Sequence, residues 1–175
     1  MNKLLLIIFC MITLPAMSME TAPSYLENHA TSKEDRDAIS QVILDFQTAI
    51  KTKNPVLLSS LVLNSKILFA SPATPDEIRE DRHEIDITSD GIDSDGYISF
   101  AKLLKKEKAS IEEKFYNVKI TQDAHVAWVM FDFEFFRESI VVNHGVEVWQ
   151  MMKSMDGTWK IISVVWTSKG KPPAQ

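Results

Sequence analysis

Asp132 and Glu134 are the residues whose type and setting best suit acid–base chemistry in this chain. They lie in the stretch 126–137, where Val129, Phe131, Phe133 and Phe135 alternate with Trp128, Met130, Asp132 and Glu134. A two-residue period puts the two sets on opposite faces of a β-strand. If the Asp132 face turns toward an enclosed apolar space, desolvation raises its pKa. Asp132 then becomes a general base, with a Tyr or Trp as polar partner. The Phe-rich face is more apolar and is the expected core, an arrangement that leaves Asp132 and Glu134 outside, solvated or paired across strands. The aromatic set Phe46, Phe69, Phe131, Phe133, Trp149 and Trp166 either packs that core or lines a cavity within it. A cavity so lined takes a small, largely apolar molecule.

Other chemistries lack their residues. His83, His125 and His144 show no metal-ligand spacing, and the single cysteine is Cys10, so no zinc set is expected. The run Asp93-Ser94-Asp95-Gly96 resembles the middle of a calcium loop, but its first and twelfth positions fall on Gly91 and Lys102. A turn leading into a helix explains it better. There is no glycine-rich phosphate loop and no Gly-x-Ser-x-Gly elbow. Lys102, Lys105, Lys106 and Lys108 are interrupted by Glu107, and the net charge of the 175 residues is −5, so a nucleic-acid partner is not expected. No metal and no cofactor follow from the sequence.

The elements that must position these groups are legible in part. Lys3, the apolar run Leu4 to Leu14 and the small-x-small pattern Ala16-Met17-Ser18 describe a signal peptide over 1–18. It implies export to a periplasm or the exterior. The run is shorter than the ~20 residues of a membrane span, and no later segment is long enough, so no stable span remains after cleavage. Residues 19–31 read as a flexible leader, 32–169 as one domain and 170–175 as a tail. Ile39, Val42, Ile43, Phe46, Ala49 and Ile50 form one helical stripe, with Thr31/Glu34 or Ser32/Asp35 as a start signal. Asn54-Pro55 ends that helix and begins a second, to about Leu63. Ile67 to Ala70 suits a brief strand. The acidic stretch 71–96 reads as a solvated loop with room for one short helix, and Ser99 as the cap of a third helix from Phe100 to about Lys108. Four long strands follow. Tyr116, Val118 and Ile120 alternate with Phe115, Asn117 and Lys119 in the first. Asp156-Gly157 marks the hairpin between the last two. Short turns between long strands predict an antiparallel, curved sheet.

This order, together with Val146-Glu147-Val148-Trp149 and Asp156-Gly157-Thr158-Trp159-Lys160-Ile161, resembles the nuclear transport factor 2-like superfamily. Asn54-Pro55 after the opening helix and Asp95-Gly96-Tyr97-Ile98-Ser99 before the third are similar to it as well. The resemblance spans about residues 33–168. It implies an α+β cone: a curved antiparallel sheet wrapped around three N-terminal helices, with an apolar pocket at the open end and a homodimer formed through the sheet. Members include isomerases, dehydratases, cyclases and non-enzymatic binding domains, so fold alone does not choose a function. Where many members carry polar groups in the last strand, this chain has Ser163, Val165 and Thr167, none of them an acid or a base at neutral pH. The expectation is a binding or interaction module for a small apolar molecule. The alternative is an isomerase, dehydratase or cyclase using Asp132.

Overall fold

Helix α1 (Lys33–Lys51) starts at Ser32, whose hydroxyl accepts the Asp35 amide at 3.1 Å. Its apolar stripe of Ile39, Ile43, Phe46, Ala49 and Ile50 is buried. The structure, a computed structural model, describes residues 31–94 and 96–172 together with Pro23. The expected signal segment 1–18, most of the leader and residues 173–175 of the tail lie outside them.

Asn54 then caps α2 (Pro55–Leu61), its side-chain oxygen accepting from the Val56 and Leu57 amides at 3.1 and 3.0 Å. Pro55 sits in the first turn, where no amide is needed. The helix stops short of Leu63 because Val62 turns extended and bridges Ile161. Strand β1 (Leu68–Pro72) follows.

The acidic stretch is more ordered than a loop. Thr74 and Glu77 form a complete capping box that starts α3 (Pro75–Glu84), a helix with no buried residue. Its ends are satisfied locally while its sides remain solvated. A two-residue strand β2 (Ile92–Asp93) precedes α4 (Gly96–Lys106). That helix already includes Gly96, so Ser99 lies in its first turn rather than capping it, and the described helices number four.

The sheet is built from β3 (Ile111–Asp123), β4 (Val126–Arg137), β5 (Ile140–Lys153) and β6 (Trp159–Trp166), antiparallel in sequence order. Its spatial order is β2-β1-β6-β5-β4-β3. β1 pairs with β6 in parallel, with Phe69 opposite Val164. The sheet is therefore mixed, not purely antiparallel. The direction of β1 is set by where α2 delivers the chain, which no local turn encodes. At the β5–β6 hairpin, Gly157 takes a positive φ of 86° as the turn requires.

β3 does not alternate along its whole length. A bulge interrupts its pairing with β4 between Tyr116 and Lys119, and Asn117 adopts a positive φ of 53°. Ile111, Glu113 and Phe115 face inward before it, Ile120 and Gln122 after it. Tyr116 and Val118 are exposed, so they do not share a face with Ile120. The extra residue shifts the side-chain phase by one.

The concave face of the sheet holds the core. Trp149, Phe131, Val129, Met151 and Ile161 are almost wholly buried against α1. Phe46 of that helix stands 4.8 Å from Trp149 between ring centroids, and Phe131 meets Trp149 edge-on at 5.1 Å. One end of the cone is closed by Asp35. Its carboxylate accepts from the Trp159 indole at 3.0 Å and from Gln122 at 2.9 Å, and pairs with Lys153 at 2.7 Å. These partners, led by Lys153, hold the Asp35 carboxyl down at about 2. The carboxylate thus ties the start of α1 to three strands.

Candidate functional site

The opposite end of the cone opens into a cavity of ≈ 470 Å³. Each wall follows from an amphipathic element laid across the curved sheet. α1 contributes Phe46, β1 Phe69, α4 Phe100 and Leu103, β4 Phe133 and Phe135, and β6 Trp166. The rings touch in sequence around the wall: Phe69 lies 5.2 Å from Phe100 and 5.1 Å from Trp166. The interior is therefore mostly aromatic carbon.

Two carboxyls interrupt it. Glu113 projects inward from β3 in phase with Ile111 and Phe115, and Glu147 from β5 in phase with Trp149 and Met151. They retain only 7% and 4% exposure. Glu147 accepts a hydrogen bond from the Trp149 indole N–H. The Glu113 carboxyl has no hydrogen bond or ion pair among the described residues. Burial pushes the Glu147 carboxyl up to about 7, opposed in part by the indole donor. Burial, and then the charge of Glu147, holds Glu113 well above the ordinary carboxyl range. Two like charges in one low-dielectric space cannot both form cheaply. Near neutral pH the pair therefore favours holding a proton in common over forming both charges.

Polar groups collect at the mouth. Arg137 at the end of β4 pairs with Glu107 just past α4, joining the two lips. Arg137 and the Ala109 amide hold the Glu107 carboxyl low. Asn143 is fixed differently. Its side-chain oxygen accepts from the Lys169 and Gly170 amides at 3.2 and 3.1 Å and from the Ser168 hydroxyl at 3.1 Å, strapping the chain after β6 to β5. Gly145 permits that close approach, because a Cβ there would stand 2.2 Å from the Thr167 carbonyl oxygen.

Asp132 does not face this cavity. It lies on the convex face, exposed, and accepts from Asn117 at 2.6 Å; its neighbour Glu134 accepts from the Tyr116 hydroxyl at 2.8 Å. The reason is the strand period: Phe131 and Phe133 claim the concave side, which sends Asp132 outward. Of the six aromatics read from the sequence, Phe46, Phe69, Phe133 and Trp166 line the cavity. Phe131 and Trp149 are packed behind its wall. Glu113 and Glu147 are not among the residues expected from the sequence, where their strand period is only a partial signal. Each is an acid in phase with inward apolar residues of its own strand, at positions where a solvated face would be out of phase. Among the described residues no group of three His, Cys, Asp or Glu side chains is placed to hold a metal, and no helix is long and apolar enough to cross a membrane.

An α+β cone with an open mixed sheet, four helices and an apolar cavity is the fold of nuclear transport factor 2-like proteins, and this chain has it. A nuclear transport factor 2-like protein of unknown function from Pseudomonas putida KT2440 superposes with a TM-score of 0.59 at 9% identity, over 79% of this chain and 89% of that one. A candidate dehydratase of the same family from Streptomyces avermitilis gives 0.59 at 16% identity, over 79% and 98%. A nuclear transport factor 2-like protein from Cytophaga hutchinsonii ATCC 33406 gives 0.56 at 16% identity, over 79% and 99%. No protein-family model matches the sequence, and no curated protein matches it. The likeness is one of fold.

Proposed function

We propose that the cavity is a binding site for a compact apolar molecule carrying one polar group, and that Glu113 and Glu147 receive that group. The observation that carries this reading is the placement of two buried carboxyls in a largely apolar, aromatic-rich cavity, one of them with no partner among the described residues. Burying such groups costs stability, and a ligand that satisfies them offsets part of that cost. The test is a titration with 1-naphthylmethanol, followed by tryptophan fluorescence because Trp166 lines the wall. Ser99 of α4 is an exposed residue of the cavity lining, and saturable one-to-one binding that is lost in Ser99→Trp supports the site. Binding that ignores this substitution removes it.

A second reading is favoured by the meeting of two buried carboxyls, both raised above the ordinary range, in one largely apolar cavity. Glu147, at about 7, suits transfer of a proton at neutral pH, and Glu113 suits donation of a hydrogen bond to a developing oxyanion. This is the division of labour an isomerase or dehydratase needs, and the candidate dehydratase of the same fold agrees with it. Once a turnover is found, Glu147→Gln should lower kcat by about 10²–10⁴-fold, and a smaller loss would remove Glu147 as the group that transfers the proton.

The same reading places the protein outside the cytoplasm, on the strength of the segment 1–18, and makes it a homodimer. On the convex face Met130 lies opposite Val148, and Val148 opposite Val165, with Trp128 beside them. All four are substantially exposed. An apolar row across three strands is suited to a second copy of itself. Sedimentation at micromolar concentration should give a dimer, and Met130→Lys a monomer. Cell fractionation should recover a form that lacks residues 1–18.

A further inference from the structure

We propose that the ligand class of this cavity is the hydrophobic amine: an apolar body of one or two rings bearing an ammonium nitrogen. The nitrogen sits between Glu113 and Glu147, and the body lies against the surrounding rings. This inference rests on the cavity being a binding site and specifies the polar group left open there.

Among the described residues the two carboxyls lack a cation of their own. The charged and titratable groups lining the chamber are Glu113 on β3, Glu147 on β5, Arg137 on β4 and Glu107 beside α4. The only cation among them, Arg137, is half-exposed at the mouth and engaged by Glu107. α1, β1 and β6 add only the uncharged rings of Phe46, Phe69 and Trp166. The buried acids therefore face a space with surplus acceptor capacity. Glu113, 7% exposed and unpartnered among the described residues, is directed into it.

The chamber wall has the matching property. The faces of aromatic rings carry negative charge density and attract a cation brought within about 6 Å, most strongly where water is excluded. A carboxylate ligand would meet the opposite: buried acids, ring faces and no free cation inside. A neutral alcohol or ketone would satisfy one carboxyl and leave the other as it was. An ammonium has three donors, enough to bond both carboxyls at once. Its charge also offsets the repulsion that Glu147 exerts on Glu113.

A consequence follows for protons. The free pair favours holding a proton in common, and a bound ammonium favours the ionised carboxylate. Binding then releases a proton to solvent whenever the free pair is protonated. The expected affinity for an amine therefore rises as pH rises from 5 through about 7. A neutral ligand of the same shape should show no such rise.

The experiment compares three probes with one ring system: 1-naphthylmethylamine, 1-naphthylmethanol and 1-naphthoate. Each is titrated calorimetrically against the full protein at pH 5.5 and pH 8, in two buffers of different ionisation enthalpy. The amine should bind at least about tenfold tighter than the alcohol at pH 8, with naphthoate weakest and with buffer-dependent heat for the amine alone at pH 5.5. Glu147→Gln and, separately, Glu113→Gln should erase the amine preference while alcohol binding persists, which also shows that each variant is folded. Equal binding of amine and alcohol overturns the amine assignment and leaves the cavity reading standing. The amine assignment also falls if the preference survives both substitutions, or if amine binding survives Ser99→Trp. Binding of none of the three removes both.

Discussion

The two faces of β4 carry similar chemistry and give it opposite roles. Outside, Asp132 and Glu134 are wet, each bonded to a side chain of β3, and their charges cost little. Inside, one residue out of phase and one strand away on either side, Glu113 and Glu147 occupy an aromatic chamber that makes their ionisation costly. A carboxyl becomes a candidate for function through the medium the sheet assigns to it. The tryptophans divide in the same way: Trp149 is fully buried in the concave core, while Trp128 is 44% exposed on the convex side.

The largest effect expected from breaking this asymmetry is in packing. Trp149→Ala should cost about 3–5 kcal/mol by urea unfolding, because it empties the centre of the aromatic cluster. Trp128→Ala should cost about 1 kcal/mol or less. Comparable losses would mean that the convex face is as tightly packed as the core, as a tight dimer would make it.

Next comes the pH dependence of the inner acids. The folded state keeps the Glu147 proton up to about 7, whereas the unfolded chain loses it near 4.5. Stability therefore is greatest below about pH 4.5 as far as this group is concerned, falls as pH rises, and levels off above about 7. The span corresponds to roughly 3 kcal/mol. Glu147→Gln should flatten that fall, and an unchanged profile would mean that the chamber is wet.

Asp35 sets the opposite limb. Its carboxyl is held at about 2 against an ordinary 3.8. The stability it supplies is complete above about 4 and is lost as pH falls through 2. Asp35→Asn should cost about 1–3 kcal/mol at pH 7, since Lys153, Trp159 and Gln122 lose a charged acceptor. Its acid unfolding should lose this limb. The smallest effect belongs to Asp132→Asn, expected to change stability by within about 0.5 kcal/mol and leave binding of the naphthyl probes unaltered. A large effect there would bring the convex depression formed by Asn117, Lys119, Met130 and Asp132 into the function.

Much of the fold was legible because it is written locally. Ser32, Asn54-Pro55 and Asp156-Gly157 each meet a requirement of the backbone a few residues away. The alternation in 126–137 separates the core face from the solvent face by period alone. Thr74 and Glu77 were equally local, and their capping box makes a helix inside the acidic stretch. The bulge at Asn117 was less legible, since a residue that takes a positive φ without glycine leaves only a weak mark.

The candidate site was legible only in its aromatic part. Phe46, Phe69, Phe133 and Trp166 are far apart in the chain, and their large apolar surfaces point to a shared interior without saying where it opens. Glu113 and Glu147 required the registers of three strands, in which Glu113 faces Phe135 and Phe131 faces Glu147. The sequence by itself determined the periods, the caps and the turns, because these depend on neighbours along the chain. Tertiary structure alone decided which carboxyls are dry, that β1 runs parallel to β6, and that Arg137 is taken by Glu107 at the mouth. Desolvation and long-range pairing depend on what the rest of the chain places around a residue, and no local spacing records that.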